Sequence, residues 1–98
     1  MTNKFKDLKN KNVIITGGNG FIGKQISKAF LNQGSKVFIL DLRIFKSNNR
    51  INFFKTDITK SEQIYRILNF FKTKNIKPDI LINNAAIDYK PDRKSKNN

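Results

Sequence analysis

Glycines at positions 17, 20 and 23 lie where an apolar, β-branched segment leads into a helical pattern. In such a turn the first glycine permits a tight bend, the second lets the backbone approach a pyrophosphate, and the third lets the helix pack closely on the strand. The free amides and the dipole at the start of the following helix also favour an anion. The spacing therefore predicts a phosphate-binding turn, and the alternative interpretation is a glycine-rich connection without a ligand.

The carboxylate of Asp41 ends the next apolar segment, 18 positions after Gly23. In dinucleotide-binding folds an acidic residue about 20 positions beyond the glycine motif accepts both hydroxyls of the adenosine ribose. Asp41 is therefore a candidate ribose ligand. The alternative is an ordinary polar residue that closes a strand.

The elements that must position these groups alternate between strands and helices. Continuous apolar runs predict strands at residues 12–16, 36–41, 51–55 and 79–83. Helical spacing predicts one helix over 21–33 and a second that begins near Lys60, while the 42–50 connection is too short for a full crossover helix. The predicted fold class is α/β: the N-terminal half of a doubly wound Rossmann fold, with a parallel sheet of about four strands in the order 3-2-1-4.

Each predicted helix has one apolar face, and right-handed crossovers place the two helices on opposite faces of the sheet. The predicted inner residues are Ile22, Ile26, Ala29 and Phe30 in the first helix and Ile64, Ile67, Leu68 and Phe71 in the second. Thr59 and Glu62 have the spacing of a capping box, which predicts the start of the second helix.

Length and composition restrict the class of protein. A chain of 98 residues forms at most one small domain, placed at 11–87 between a polar lead at 1–10 and a polar tail at 88–98 that we expect to be disordered. Cysteine and histidine are absent, which removes disulfides, histidine catalysis and the usual transition-metal ligands, so we predict no metal site. No apolar run approaches the roughly 20 residues of a membrane span, and we expect a soluble, cytoplasmic protein that binds no membrane.

The net charge of +13 is the feature that competes with a nucleotide-binding role. A strongly basic surface attracts nucleic acid. However, the lysines and arginines are spread along the whole chain, and few aromatic residues accompany them at positions expected to be exposed. A small basic nucleic-acid-binding protein is therefore an alternative, and we expect no specific nucleic-acid partner.

Four motifs together resemble the cofactor half of the short-chain dehydrogenase/reductase family. They are the glycine segment at 16–23, Asp41, the pair Asp57-Ile58 and the segment Asn83-Asn84-Ala85-Ala86. The glycine spacing is similar to that of the family's extended, epimerase-like branch, whereas Asn-Asn-Ala-Ala is closer to the classical branch. The resemblance covers residues 11–86, which is nearly all of the chain that we expect to be ordered.

The resemblance implies a nicotinamide dinucleotide cofactor and assigns residues to it. The backbone around 17–23 would hold the pyrophosphate, Asp41 would bind the adenosine ribose, and Asp57 with Ile58 would border the adenine. The cofactor-binding residues that it implies are Gly17, Gly18, Asn19, Gly20, Phe21, Ile22, Gly23, Asp41, Asp57, Ile58, Asn83, Ala85 and Ala86. Because a carboxylate at Asp41 repels a ribose 2′-phosphate, NAD is preferred to NADP, although Arg43 keeps NADP open.

Local structure offers an alternative for two of these motifs. Asp57 could cap the start of the following helix beside Thr59. Asn83 and Asn84 could satisfy backbone groups at the end of a strand. Each motif alone is therefore unspecific, and it is the combination that points to the family.

The chain departs from the family's pattern where catalysis is concerned. The family's Tyr-x-x-x-Lys pair and its preceding serine lie beyond the fourth strand, and Tyr89 is followed four positions later by Arg93 instead of lysine. We therefore assign no catalytic residue, and whether the chain is itself an enzyme stays open. The leading interpretation is a truncated NAD(P)-binding segment of an oxidoreductase, and the alternative is a stand-alone nucleotide-binding module. In either case the open fourth-strand edge predicts a homo-oligomer or a complementing chain.

Overall fold

The computed structural model describes residues 6–17, 20–43 and 50–85. A short 3₁₀ helix (Lys6–Leu8) precedes β1 (Asn12–Thr16), α1 (Phe21–Asn32), β2 (Lys36–Asp41), β3 (Ile51–Lys55), α2 (Ser61–Thr73) and β4 (Ile80–Asn83). The strands form one four-stranded sheet in the order β3-β2-β1-β4, and every neighbouring pair is parallel. The predicted fold class and strand order are confirmed. The predictions for the 44–49 connection, Gly18, Asn19, Ala86 and the 88–98 tail lie outside the described residues.

β1 and β2 are the central strands of this sheet, and both are buried along nearly their whole length. Successive side chains of a strand point to opposite faces, so each strand contributes to two cores. The core beside α1 consists of Val13, Ile15, Val37 and Ile39, with Ile26, Phe30 and Leu31 packed against it. The core beside α2 consists of Ile14, Phe38, Leu40, Ile67 and Phe71. The two helices therefore cover opposite faces, as predicted.

Aromatic rings anchor α2 to the sheet. Phe71 is 3% exposed, and its ring meets Phe38 edge to face with centroids 5.0 Å apart. Phe70 makes a similar contact with Phe54 of β3 at 4.9 Å. Such a ring pair adds about 0.5–1.5 kcal/mol to the roughly 1.5–3 kcal/mol that burying one large apolar side chain contributes. These contacts fix the C-terminal part of α2 on the sheet.

The buried face of α1 differs from the predicted one. Gly23 and Ser27 are buried, whereas Ile22 is 62% exposed and Ala29 is also exposed. Gly23 has no side chain and faces the sheet, and the Ser27 hydroxyl donates a hydrogen bond to the Gly23 carbonyl at 2.8 Å. The prediction of Ile22 and Ala29 as inner residues is wrong, because an apolar pattern does not reveal which small residues face a strand.

The start of α2 also differs from the prediction. Its N-cap residue is Lys60, which makes no side-chain cap hydrogen bond. The Thr59 hydroxyl donates instead to Asp57 Oδ1 at 2.6 Å, so it is already used in the turn before the helix. The predicted capping box of Thr59 and Glu62 is therefore wrong, because the nearer carboxylate competes successfully for the hydroxyl.

An apolar groove runs between α2 and the edge strand β4. Leu68, predicted as an inner residue of α2, is 52% exposed, and Leu81 of β4 is 61% exposed. Both side chains line this groove, which has a volume of about 360 Å³. The prediction that Leu68 is buried is wrong, because no residue of the described ranges covers this side of β4.

Candidate functional site

The carboxyl ends of the strands meet at one edge of the sheet because all pairs are parallel. β1 lies between β2 and β4, so the strand order reverses there, and doubly wound folds bind ligands at such a point. A cleft of about 830 Å³ opens at this edge, a size typical of small-molecule sites. Its walls are formed by Gly17, Gly20, Leu40, Asp41, Leu42, Arg43, Thr56, Asp57, Ile58, Thr59, Asn84 and Ala85.

Gly17 follows β1 directly and turns the chain towards α1. Its φ is +68°, in the left-handed region that side chains rarely adopt, and a Cβ there would lie 2.9 Å from the Ala85 Cα atom. The Gly17 N–H donates to the Leu40 carbonyl at 2.7 Å, which ties the turn to β2. Both backbone conformation and packing therefore require glycine at this position.

Gly20 is the N-cap residue of α1 and has different surroundings. Its φ of −75° suits any residue, and a Cβ there would lie 3.6 Å from the Gly17 carbonyl oxygen, an ordinary contact distance. The packing of the described residues therefore does not require glycine here. A side chain at Gly20 would extend from the wall of the cleft beside the first turn of α1, with the Arg43 Nη2 atom 3.9 Å from its Cβ. The first N–H groups of a helix have no partner inside it, and Gly20 offers them no side-chain cap.

Hydrogen bonds from the end of β4 brace the glycine turn. The Asn84 side-chain amide donates to the Gly17 carbonyl at 2.9 Å. The Ala85 N–H donates to the Thr16 hydroxyl oxygen at 3.1 Å, and that hydroxyl lies 3.4 Å from Asn83 Oδ1. The alternative interpretation of the asparagine pair, that it satisfies groups at a strand end, thus describes Asn84 well. The hydrogen bond of the Thr16 hydroxyl to Ala85 is not predicted from sequence, where Thr16 is distinguished only by its position before the first glycine.

Asp41 and Arg43 place opposite charges side by side at the end of β2. Asp41 is 9% exposed, and its Oδ1 accepts the Arg43 N–H at 3.0 Å. The Arg43 Nε lies 3.6 Å from the same oxygen, but its side chain is 61% exposed, so the ion pair contributes little in water. The carboxylate is suited to hydroxyl groups, and the guanidinium is suited to a phosphate.

The loop between β3 and α2 forms another wall of the cleft. Asp57 Oδ1 accepts the hydroxyl and the N–H of Thr59 at 2.6 and 3.0 Å. The Thr59 hydroxyl, followed by its N–H, lowers the pKa of Asp57; partial desolvation opposes this effect and Lys60 assists it. Asp57 is therefore anionic at neutral pH. The local interpretation of Asp57 as a turn-capping residue describes this contact, while Asp57 and Ile58 also line the cleft.

Gln63 is a further contact that sequence analysis does not single out. It is the third residue of α2, and its Oε1 accepts the N–H of Asp57 at 2.7 Å. Glutamine at the third helical position commonly reaches back to the chain before a helix. The role of Gln63 could be predicted from this position, but only if the first residue of α2 were known to within one residue.

The other predicted site residues that the structure describes do not line the cleft. Gly23 is buried between α1 and the sheet, while Phe21 and Ile22 are 80% and 62% exposed at the start of the helix. Asn83 lines the apolar groove on the α2 side of β4. The structure thus brings six of the predicted residues together in the cleft: Gly17, Gly20, Asp41, Asp57, Ile58 and Ala85.

The described part of the chain lacks two other kinds of feature. No group of three or more acidic, histidine or cysteine side chains there could hold a metal ion. Across the same ranges, none of the helices has the length and apolar character needed to cross a membrane.

Comparison with known proteins adds to this geometry. The family model described as short chain dehydrogenase matches residues 11–98. The chain belongs to the short-chain dehydrogenase family. The matched region begins immediately before β1 and includes every strand and helix that borders the cleft.

Relatives of this short-chain dehydrogenase segment are longer proteins. A short chain dehydrogenase/reductase of Gibberella zeae is 40% identical over 89 residues, which cover 82% of this chain and 33% of the relative. A short chain dehydrogenase of Leptospira borgpetersenii, solved with bound NAD⁺, has a TM-score of 0.78 at 34% identity and matches 89% of this chain and 36% of its own. A 4-hydroxyisoleucine dehydrogenase complexed with NADH has a TM-score of 0.72 at 31% identity, with coverages of 80% and 35%. The chain spans about a third of the length of these proteins.

Proposed function

We propose that this short-chain dehydrogenase segment binds a nicotinamide adenine dinucleotide in the cleft. The observation that carries the proposal is the meeting of the glycine turn, the Asp41 carboxylate and the Asp57 loop around one space of about 830 Å³. These groups suit a phosphate, a ribose and a base, in that order. The bound NAD⁺ and NADH of two structural relatives support the same type of ligand.

Each part of the cofactor has a proposed place. The pyrophosphate lies against the backbone of residues 17–23, beside the first turn of α1, where the helix dipole favours an anion. The adenosine ribose lies at Asp41, and the adenine lies between Asp57 and Ile58. The nicotinamide half extends past Ala85 and Ala86. Asn83 supports β4 from the α2 side of the sheet.

NAD is the proposed cofactor in preference to NADP. Asp41 is largely buried and positioned as the last residue of β2, so its carboxylate would repel a 2′-phosphate on the ribose. Arg43 opposes this preference, because its guanidinium lies beside the same carboxylate and could pair with that phosphate. The buried carboxylate has the stronger effect because solvent screens the exposed guanidinium.

The proposed activity is that of an oxidoreductase in which this segment supplies the cofactor-binding half. A bound nicotinamide ring supplies hydride transfer. The residues of this chain bind and orient the dinucleotide, and we assign none of them an acid–base step. A location in the cytoplasm, where such cofactors are available, is part of the proposal.

The open side of β4 is the proposed site of a further polypeptide segment. Leu81 and Leu68 leave an apolar groove exposed there, and an uncovered sheet edge favours pairing with another chain. The segment belongs to a second copy, or to a complementing chain in a nucleotide-binding module assembled from two parts. Light scattering on wild type and Leu81→Lys tests the second copy: oligomers in wild type only support it, and a wild-type monomer excludes it.

Isothermal titration with NAD tests the cofactor site. Wild type should bind, and Gly20→Val should abolish binding because the branched side chain fills the space against the pyrophosphate. Ala29→Val introduces the same branched side chain at an exposed position of α1 and should leave the affinity unchanged. Thermal unfolding of all three proteins checks that the fold is kept. Equal affinity in wild type and Gly20→Val would disprove the proposed phosphate site.

A further inference from the structure

The turn between β3 and α2 is held by two sets of hydrogen bonds. Within the turn, Thr59 donates twice to Asp57 Oδ1, and the Lys60 N–H donates to the Asp57 carbonyl at 3.0 Å. From outside the turn, Gln63 Oε1 accepts the Asp57 N–H at 2.7 Å. Gln63 is therefore the side chain that joins this turn to α2, which is itself anchored on the sheet by Phe71.

These bonds determine which polar groups the turn offers to the cleft. Among the described residues, both hydrogen bonds to the Asp57 carboxylate fall on Oδ1, so Oδ2 is available as an acceptor. The N–H of Ile58, the next residue, has no partner in the described ranges and is a donor. Asp57 and Ile58 both line the cleft. The turn thus offers one acceptor and one donor on neighbouring residues.

An adenine base has the complementary pair of groups. Its N6 amino group donates, and the adjacent ring nitrogen N1 accepts. A hypoxanthine base has the reverse pattern, since its O6 accepts and its N1–H donates. A turn held with Asp57 Oδ2 and the Ile58 N–H towards the ligand would therefore discriminate between these two bases.

We propose that Gln63 is a positioning residue for base recognition, because its bond to the Asp57 N–H holds the turn in the conformation that distinguishes adenine from hypoxanthine. This inference rests on the proposed dinucleotide site. When Gln63 is replaced by a residue without an acceptor, the Asp57 N–H loses this partner, and only the bonds within the turn hold its conformation.

The test compares the affinities of NAD and nicotinamide hypoxanthine dinucleotide in one set of variants. Wild type should bind NAD roughly tenfold more tightly than the hypoxanthine form, the effect of about one net hydrogen bond. Gln63→Met should bring this ratio close to one, mainly through weaker NAD binding. Gln63→Glu keeps an acceptor oxygen and should restore the ratio. Gln25→Met, on the exposed surface of α1, is the matched control and should behave like wild type.

The outcomes separate this inference from the proposed function. If Gln63→Met weakens both dinucleotides equally, or leaves their ratio unchanged, Gln63 has no role in base recognition. If wild type binds neither dinucleotide, the proposed function fails and the inference fails with it. Amide hydrogen exchange without ligand provides a second measurement: the Asp57 N–H should be protected in wild type and Gln63→Glu, and should exchange faster in Gln63→Met. Equal exchange in all three proteins would refute the role of Gln63.

Discussion

Single substitutions of Gly17 and Gly20 by alanine should have different effects. Gly17→Ala should lower the stability of the fold, whereas Gly20→Ala should lower the affinity for NAD. At Gly17 a non-glycine residue in the left-handed region costs about 1–2 kcal/mol. The added Cβ would also lie 2.9 Å from the Ala85 Cα, a backbone atom that cannot rotate away. Overpacking of this kind costs a further ~1–3 kcal/mol. Gly17→Ala should therefore lose about 2–5 kcal/mol, a large part of the roughly 5–15 kcal/mol by which small domains are stable.

Gly20→Ala should behave in the opposite way. The φ of Gly20 is −75° and its Cβ would make only ordinary contacts, so the free energy of unfolding should change by less than about 0.5 kcal/mol. NAD binding should nevertheless weaken, because the methyl group lies where the pyrophosphate approaches. Urea unfolding followed by far-ultraviolet circular dichroism measures the first effect, and titration calorimetry measures the second. Equal unfolding midpoints for the two variants, or a larger loss for Gly20→Ala, would refute this reasoning.

Three further results are expected. Asp41→Ala should reduce the preference for NAD over NADP, and Arg43→Ala should increase it, as measured by titration of both cofactors. If wild type prefers NADP, Arg43 and not Asp41 determines the choice at the ribose site. Thr59→Val should raise the pKa of Asp57 towards its ordinary value, as followed by carboxyl NMR shifts, because the hydroxyl is the main cause of the lowered pKa. In wild type the contribution of Asp57 to stability is complete at a pH above the pKa that Asp57 has in the unfolded chain. It is lost as the pH falls through the lower pKa that Asp57 has in the folded protein. Thr59→Val should lose most of this pH dependence. The isolated chain should transfer no hydride to or from a panel of alcohols, ketones and nucleotide sugars, as measured by NADH absorbance, and turnover by a folded monomer would contradict the assignment of no acid–base residue.

The strands and their order could be predicted from sequence because central strands have a strong local signal. β1 and β2 are continuous apolar runs, and such runs are typical of strands that are covered on both faces. The right-handed crossover rule then leaves few arrangements of four strands. Asp41 follows from the same reasoning, since it is the last residue of a well-defined strand at the expected distance from the glycines.

The contacts that shape the site could not be predicted in the same way. They join residues far apart in sequence, as with Asn84 and Gly17, or they depend on competition between nearby polar groups. Thr59 has two acceptable partners in sequence, the start of α2 and Asp57, and only the geometry of the turn decides between them. Ile26 and Phe30 pack on the core as predicted, but the burial of Gly23 in α1 is not predictable from an apolar pattern, because this residue has no side chain.

The hydrogen bonds between the glycine turn and the end of β4 have a consequence for the order of folding. Asn84 and Gly17 are 67 positions apart, and Ala85 and Thr16 are 69 positions apart, so both bonds close nearly the whole described chain. Contacts of such long range form late, since most of the loop entropy must be lost before they are gained. During synthesis the glycine turn would therefore reach its final shape only after β4 has emerged and paired with β1. A cofactor that binds only after β4 has paired with β1 would stabilise this pairing by mass action.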